Sequence, residues 1–172
     1  LNVTSPYKKT VIPFIDELDK TASDTAAVNT IKVQHIGNSI LLKGYNTDIQ
    51  GFDNAYGRII SENGGPVLIL GSGGASDSIS YILQKRNIKF KKVSRTASKP
   101  ELLPYKKINA ASLKNFNIII NATPIGMFPK IDEFPPIPYA GIKKDHILID
   151  LIYRPEETIF LKMGRIQQAQ TY

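Results

Sequence analysis

Residues 66–76 read PVLILGSGGAS, an apolar run that breaks into a glycine turn and then into small polar residues. Four consecutive aliphatic side chains between Pro66 and Gly71 fit a short strand buried on both faces, as in a parallel sheet. Ile79, Ile82 and Leu83 then recur at helical spacing, and IKFKKVS at 88–94 returns to a strand pattern. Strand, glycine loop, helix and strand in that order are the start of a parallel sheet with crossover helices on both faces. Gly71 permits the tight turn, and Gly73 lets the backbone approach a diphosphate held at the helix N-terminus. Ser76 stands where such loops often carry a third Gly or Ala, so the spacing alone also fits a plain glycine turn in an α/β unit.

The residues after the second strand refine this. Dinucleotide folds that take NAD place an acidic side chain there to hold the ribose hydroxyls. Here the run is Ser94-Arg95-Thr96-Ala97-Ser98-Lys99, with two cations, three hydroxyls and no acid. A carboxylate would repel a 2′-phosphate, whereas Arg95 and Lys99 would hold one. The pattern therefore favours NADP(H) over NAD.

Outward from this unit the rhythm continues. NIIINATP at 117–124 and HILIDLIY at 146–153 are two more strand-sized apolar runs, separated by the Pro-rich FPKIDEFPPIPYAGI at 128–142. ETIFLKMGRIQQAQTY at 157–172 reads as a helix running toward another strand. Upstream, Ile49, Phe52, Tyr56 and Ile59/Ile60 form a helical stripe that starts after Asp48 and ends at Gly64-Gly65. Asp48 itself reads as a helix N-cap, a role compatible with one oxygen facing a cleft. TIKVQHI and SILLKGY flank Gly37-Asn38 and predict a hairpin. Residues 9–28 read as broken helix, interrupted by Pro13 and by Thr-Ala-Ser-Asp at 21–24.

Composition excludes several function classes. The 172 residues are 42% hydrophobic and 22% charged, ordinary for a globular domain with a real core. No cysteine is present, which removes disulfides, thiolate zinc sites and a thiol nucleophile. His35 and His146 have no ligand spacing, so no metal is expected. No apolar run is long enough to cross a bilayer. Asn2-Val3-Thr4 and Asn121-Ala122-Thr123 match glycosylation sequons, read as coincidence without a secretory signal. The net charge is +7, with KRNIKFKK at 85–92 as its densest run. Aromatics do not interleave with these charges as a base-stacking platform requires, so the run reads as a solvated helix end and strand edge rather than a nucleic-acid surface. Part of the positive charge finds a purpose in a polyanionic dinucleotide.

Seven segments together resemble shikimate dehydrogenase: NVTSPYK at 2–8, AAVNTI at 26–31, GYNTDIQGF at 44–52, LGSGGAS at 70–76, SRT at 94–96, NATPIGM at 121–127 and DLIYRPEETIFL at 150–161. They follow that family's order and spacing. The resemblance implies an α/β protein of two lobes. Residues 1–48 would belong to an α/β substrate lobe, 49–160 would form a Rossmann-like NADP(H) domain, and 161–172 would begin the return to the first lobe. It also implies further segments at both ends: an upstream pair of hydroxyl residues gripping a substrate carboxylate, and a downstream substrate-binding Gln, a role not assigned to Gln167, Gln168 or Gln170.

Carried over by residue, the resemblance implies that Asn2, Thr4, Lys8, Asn29, Asp48 and Tyr153 meet the substrate, with Lys8 and Asp48 as the catalytic pair. Gly71, Ser72, Gly73, Gly74 and Ala75 would cradle the diphosphate. Ser94, Arg95, Thr96 and Lys99 would meet the adenosine phosphate, and Thr123, Pro124, Met127 and Leu151 the nicotinamide side. Two departures stand out: Asp77, where a basic residue is common, and Lys20, where an acid is common. Both bear on cofactor affinity. The implied reaction is reversible NADPH-dependent reduction of 3-dehydroshikimate to shikimate, a cytoplasmic step toward aromatic amino acids, by a monomer or homodimer. Hydride delivery to a ketone builds negative charge on its oxygen, which a lysine ammonium stabilises and protonates. Alternatives of the same fold are an NAD-using quinate/shikimate dehydrogenase and a non-catalytic NADP(H)-binding regulator.

Overall fold

The computed structural model describes residues 1–4, 6–96 and 102–172. Two sheets organise them. The smaller contains β1 (Glu17–Leu18), β2 (Thr30–Ile36) and β3 (Ser39–Tyr45), with α1 (Lys20–Thr25) packed beside it. β2 and β3 form the expected hairpin, with Ile36 opposite Ser39 across a two-residue turn in which Gly37 has φ +60°. The broken helix expected over 9–28 is a 3-10 turn, a strand and a six-residue helix instead. β1 pairs in parallel with β3 through Glu17↔Lys43 and Leu18↔Gly44, a long-range pairing that overrides local propensity.

α2 (Thr47–Asn63) leads into the larger sheet and stops at Gly64, whose φ of +53° suits a glycine. Its N-cap is Asn46, not Asp48: the Asn46 side chain accepts from the Asp48 N–H at 3.3 Å, and Asp48 lies inside the first turn. The sheet comprises β4 (Val67–Leu70), β5 (Phe90–Ser94), β6 (Leu102–Pro104), β7 (Ile118–Asn121), β8 (Ile147–Asp150) and β9 (Gln170–Thr171). All pairings are parallel, in the order β6-β5-β4-β7-β8-β9. Counted along the chain this is 3-2-1-4-5-6, the Rossmann arrangement.

Strand alternation splits the core in two. Val67, Ile69, Ile118, Ile120, Ile147 and Ile149 pack against α2 and against α3 (Gly74–Lys85). Leu68, Leu70, Val93, Ile119 and Leu148 face the other way. They meet Leu113 of α4 (Ala110–Leu113), Phe160 and Leu161 of α5 (Ile159–Ile166), and Ile137, Tyr139 and Ile142 of the Pro-rich segment. Residues 161–172, expected to leave for the first lobe, lie on this sheet: α5 covers it and β9 is its edge strand. Among the described residues no helix is long and apolar enough to cross a membrane.

Candidate active site

The strand order reverses between β4 and β7, where the loops after adjacent strands diverge and leave a crevice. A cleft of about 710 Å³ opens there, lined by Gly71, Ser72, Gly73, Ser94, Arg95, Thr96, Thr123, Pro124 and Met127, with Tyr105, Phe128 and Lys130 at its margins. Gly71 is required twice over. Its φ is +117°, and a Cβ there would stand 3.0 Å from the Ala122 carbonyl oxygen. At Gly73 and Gly74 a Cβ would meet nothing within 4 Å, so the loop leaves free space in front of the α3 N-terminus. That helix has no side-chain cap, and its first N–H groups are available to an anion. The Ser72 and Ser94 hydroxyls lie 3.1 Å apart and tie the glycine loop to the end of β5. Lys99 lies outside the described residues.

Asp77 sits in the first turn of α3, but not as a bare charge. Lys9 Nζ reaches its Oδ2 at 3.0 Å and Lys92 Nζ its Oδ1 at 3.1 Å. The two lysines offset the repulsion that an acid would exert on a bound diphosphate. Lys20, the other departure, pairs with Asp24 on its own helix at 3.2 Å.

A second group lies on the smaller lobe. Lys8 Nζ donates to Asp48 Oδ2 at 2.6 Å, and Asn29 Nδ2 donates to Asp48 Oδ1 at 2.7 Å. Asn29 Oδ1 accepts from the Thr47 N–H at 2.9 Å, which fixes its amide orientation. The backbone sets these side chains: Val28 N–H bonds the Lys8 carbonyl at 2.8 Å, and Val3 N–H bonds the Asn29 carbonyl at 2.7 Å. The Lys8 and Asp48 side chains are 20% and 37% exposed, leaving both within reach of a ligand. Asn2 pairs with Thr30 in an isolated bridge, and the Thr4 carbonyl accepts from Tyr7; both residues are exposed beside this group.

Two further clefts adjoin. One of about 180 Å³ gathers Ala75, Thr123, Pro124, Met127, Leu151 and Tyr153. The other, about 380 Å³, lies between α2 and the loop after β8 and shares Leu151 and Tyr153. Tyr153 is 90% exposed. Neither Lys8 nor Asp48 lines these three clefts. The lobes are linked beside them by Lys9–Asp77 and by Asn46 Nδ2, which lies 3.4 Å from Ser78 Oγ on α3.

Sequence reading missed a buried polar set behind the side of the cleft lined by Thr123, Pro124 and Met127. Asn121, Asp150 and Thr158 are all buried, and Asn121 and Thr158 both donate to the Asp150 carboxylate. Burial pushes the Asp150 carboxyl up, against hydrogen bonds from Thr158, Ile152, Asn121 and Leu151 that pull it down. A polar residue closing each of two aliphatic strands, IIIN and ILID, was the available signal.

The model for the shikimate dehydrogenase substrate binding domain matches residues 1–31. A shikimate dehydrogenase (NADP(+)) from Methanococcus maripaludis is 40% identical over 187 aligned positions, covering 99% of this chain and 64% of the relative. The chain thus spans a little under two thirds of that relative's length. The crystal structure of shikimate dehydrogenase from Aquifex aeolicus is 32% identical with a TM-score of 0.83, covering 99% of this chain and 64% of that one. A shikimate 5-dehydrogenase from Thermus thermophilus, solved with NADP(H) and shikimate, is 26% identical with a TM-score of 0.81, covering 99% and 65%.

Proposed function

The chain belongs to the shikimate dehydrogenase family, and from that premise we propose that the protein reduces 3-dehydroshikimate to shikimate with NADPH, reversibly, as a cytoplasmic enzyme. The observation that carries this reading is the Lys8–Asp48–Asn29 cluster, tied through Lys9 and Asp77 to the helix that opens the glycine-loop cleft. Residues 1–48 are the substrate side and the Rossmann sheet is the cofactor side.

The residues fit an NADP(H) molecule. The open space at Gly73 and Gly74, ahead of an uncapped helix start, suits the diphosphate. Arg95, with Ser94 and Thr96, suits a 2′-phosphate, and Thr123, Pro124, Met127 and Leu151 offer a largely apolar wall to a nicotinamide ring. NADPH supplies the hydride when bound. Lys8 would place an ammonium at the substrate oxygen, stabilising the charge that develops and donating the proton. Asp48 orients that amine through its 2.6 Å bond and keeps its second oxygen on Asn29. Reduction of the ketone consumes a proton, so the reverse reaction gains as pH rises.

The test is NADPH oxidation at 340 nm with 3-dehydroshikimate, against NADH and against quinate with NADP⁺ or NAD⁺. Turnover with NADPH well above NADH supports the reading. Nucleotide binding without turnover on any of these substrates would leave the regulator reading in its place.

A further inference from the structure

Asp150 closes β8, is 5% exposed, and has no part in the chemistry just described. Resting on the proposed reaction, we infer that Asp150 is a positioning residue: through Asn121 it locks the 121–127 loop into the shape that seats the nicotinamide end of the cofactor. Asn121 and Asp150 are register partners on adjacent parallel strands, which sets their side chains side by side. Asn121 Nδ2 donates to Asp150 Oδ1 at 3.1 Å and Oδ2 at 3.2 Å. Oδ1 also accepts from the Ile152 N–H and Oδ2 from the Thr158 hydroxyl, so both oxygens act as acceptors and compel Asn121 to turn its NH₂ inward and its oxygen outward.

That oxygen then organises the loop. Asn121 Oδ1 accepts from Thr123 Oγ1 at 2.6 Å and from the Thr123 N–H at 3.1 Å. Thr123 Oγ1 accepts in turn from the Ile125 N–H at 3.2 Å. Reversing the Asn121 amide would point N–H at N–H and break the chain of bonds. Asp150 is itself held by Thr158 Oγ1 at 2.6 Å and by the Ile152 N–H at 3.0 Å. The loop carrying Leu151 and Tyr153 is therefore anchored at the same point, and Phe128 N–H bonds the Arg154 carbonyl at 3.0 Å on the far side. Thr123, Pro124 and Met127 line the two clefts that would receive the ring.

The experiment compares Asp150→Asn with the pair Thr158→Val and Thr158→Ser in the full chain. An Asn at 150 offers both donor and acceptor and no longer dictates the Asn121 orientation. Expected for Asp150→Asn is a kcat lowered by about 10²-fold, the usual effect of misplacing reacting groups by ~1 Å. KM for NADPH should move by less than roughly threefold, because the diphosphate grip is elsewhere. The primary isotope effect on kcat with C4-deuterated NADPH should rise as hydride transfer becomes slower. Thr158→Val should follow in the same direction, and Thr158→Ser should restore wild-type behaviour. Amide exchange gives a readout that needs no turnover: Thr123 and Ile125 should lose protection in Asp150→Asn and Thr158→Val while Ile119 and Leu148 keep theirs. Wild-type kcat in Asp150→Asn, or a loss matched by the unfolded fraction with unchanged isotope effect and loop protection, overturns the inference. If the wild type fails to reduce 3-dehydroshikimate while the exchange result holds, the reaction assignment falls and the positioning role stands. Should Asp150→Asn not fold, the Thr158 pair decides.

Discussion

Arg95→Ala tests the cofactor assignment at one side chain. Arg95 follows β5, is exposed, and lines the cleft beside Ser94 and Thr96. The ground beneath it is held independently: Ser94 is buried against Ser72, and Gly71 N–H bonds the Val93 carbonyl at 2.8 Å. Removing the guanidinium therefore leaves the cleft floor in place and subtracts only its contacts to ligand. A hydrogen bond to a charged partner contributes about 1.5–3 kcal/mol net, and exposure to salt and water puts this site at the low end. A loss of about 1.5–2 kcal/mol corresponds to a Kd for NADPH raised roughly 10- to 30-fold. NADH carries no 2′-phosphate, so its Kd should stay within about twofold. Titration of the intrinsic NADPH and NADH fluorescence at low and high salt measures both. The gap between wild type and variant should narrow as salt screens the phosphate contact. Equal weakening of NADH and NADPH, or an NADPH shift below about threefold, would refute the assignment of Arg95 to the phosphate.

Lys8→Ala should lower kcat by about 10²- to 10⁴-fold, the range for losing a general acid, with NADPH affinity nearly unchanged by fluorescence titration. Equal loss of both would make Lys8 structural. Gly71→Ala should lower stability by about 1–3 kcal/mol in urea melts and weaken nucleotide binding, since φ of +117° and the Ala122 carbonyl both oppose a Cβ. For Asp19, burial raises the carboxyl, but bonds from the Ala22 N–H and the Thr21 hydroxyl outweigh it and the net shift is downward. A carboxyl lowered on folding stabilises above its unfolded value and loses that contribution as pH falls through the folded one. Asp19→Asn, which keeps the cap, should therefore melt with a shallower decline below about pH 4 than wild type does; parallel curves would contradict this.

The core of the fold was legible because its signals are local. VLIL, the glycine turn and the Ile79/Ile82/Leu83 stripe each declare a backbone period within a few residues, and period decides element type. The hairpin at 30–45 was legible for the same reason, since alternation and Gly37 act across adjacent positions. The short strand at 17–18 was not, because only pairing with Lys43 and Gly44 makes it a strand. The cap of α2 was legible in principle from the run Asn46-Thr47-Asp48, where three good cap residues compete and only backbone geometry chose Asn46.

Residue types alone determined that this chain could build a doubly wound sheet with a glycine loop and cations suited to NADP(H). Tertiary structure decided what those residues face. Asp77 reads as a defect in sequence, and only the approach of Lys9 and Lys92 across the fold turns it into a neutralised bridge between lobes. Asn121 and Asp150 look like polar ends of unrelated strands until parallel register sets them side by side. The physical reason is common to both cases. Electrostatic and hydrogen-bond energies depend on distance through space, and positions far apart along a chain acquire that distance only when the sheet assembles.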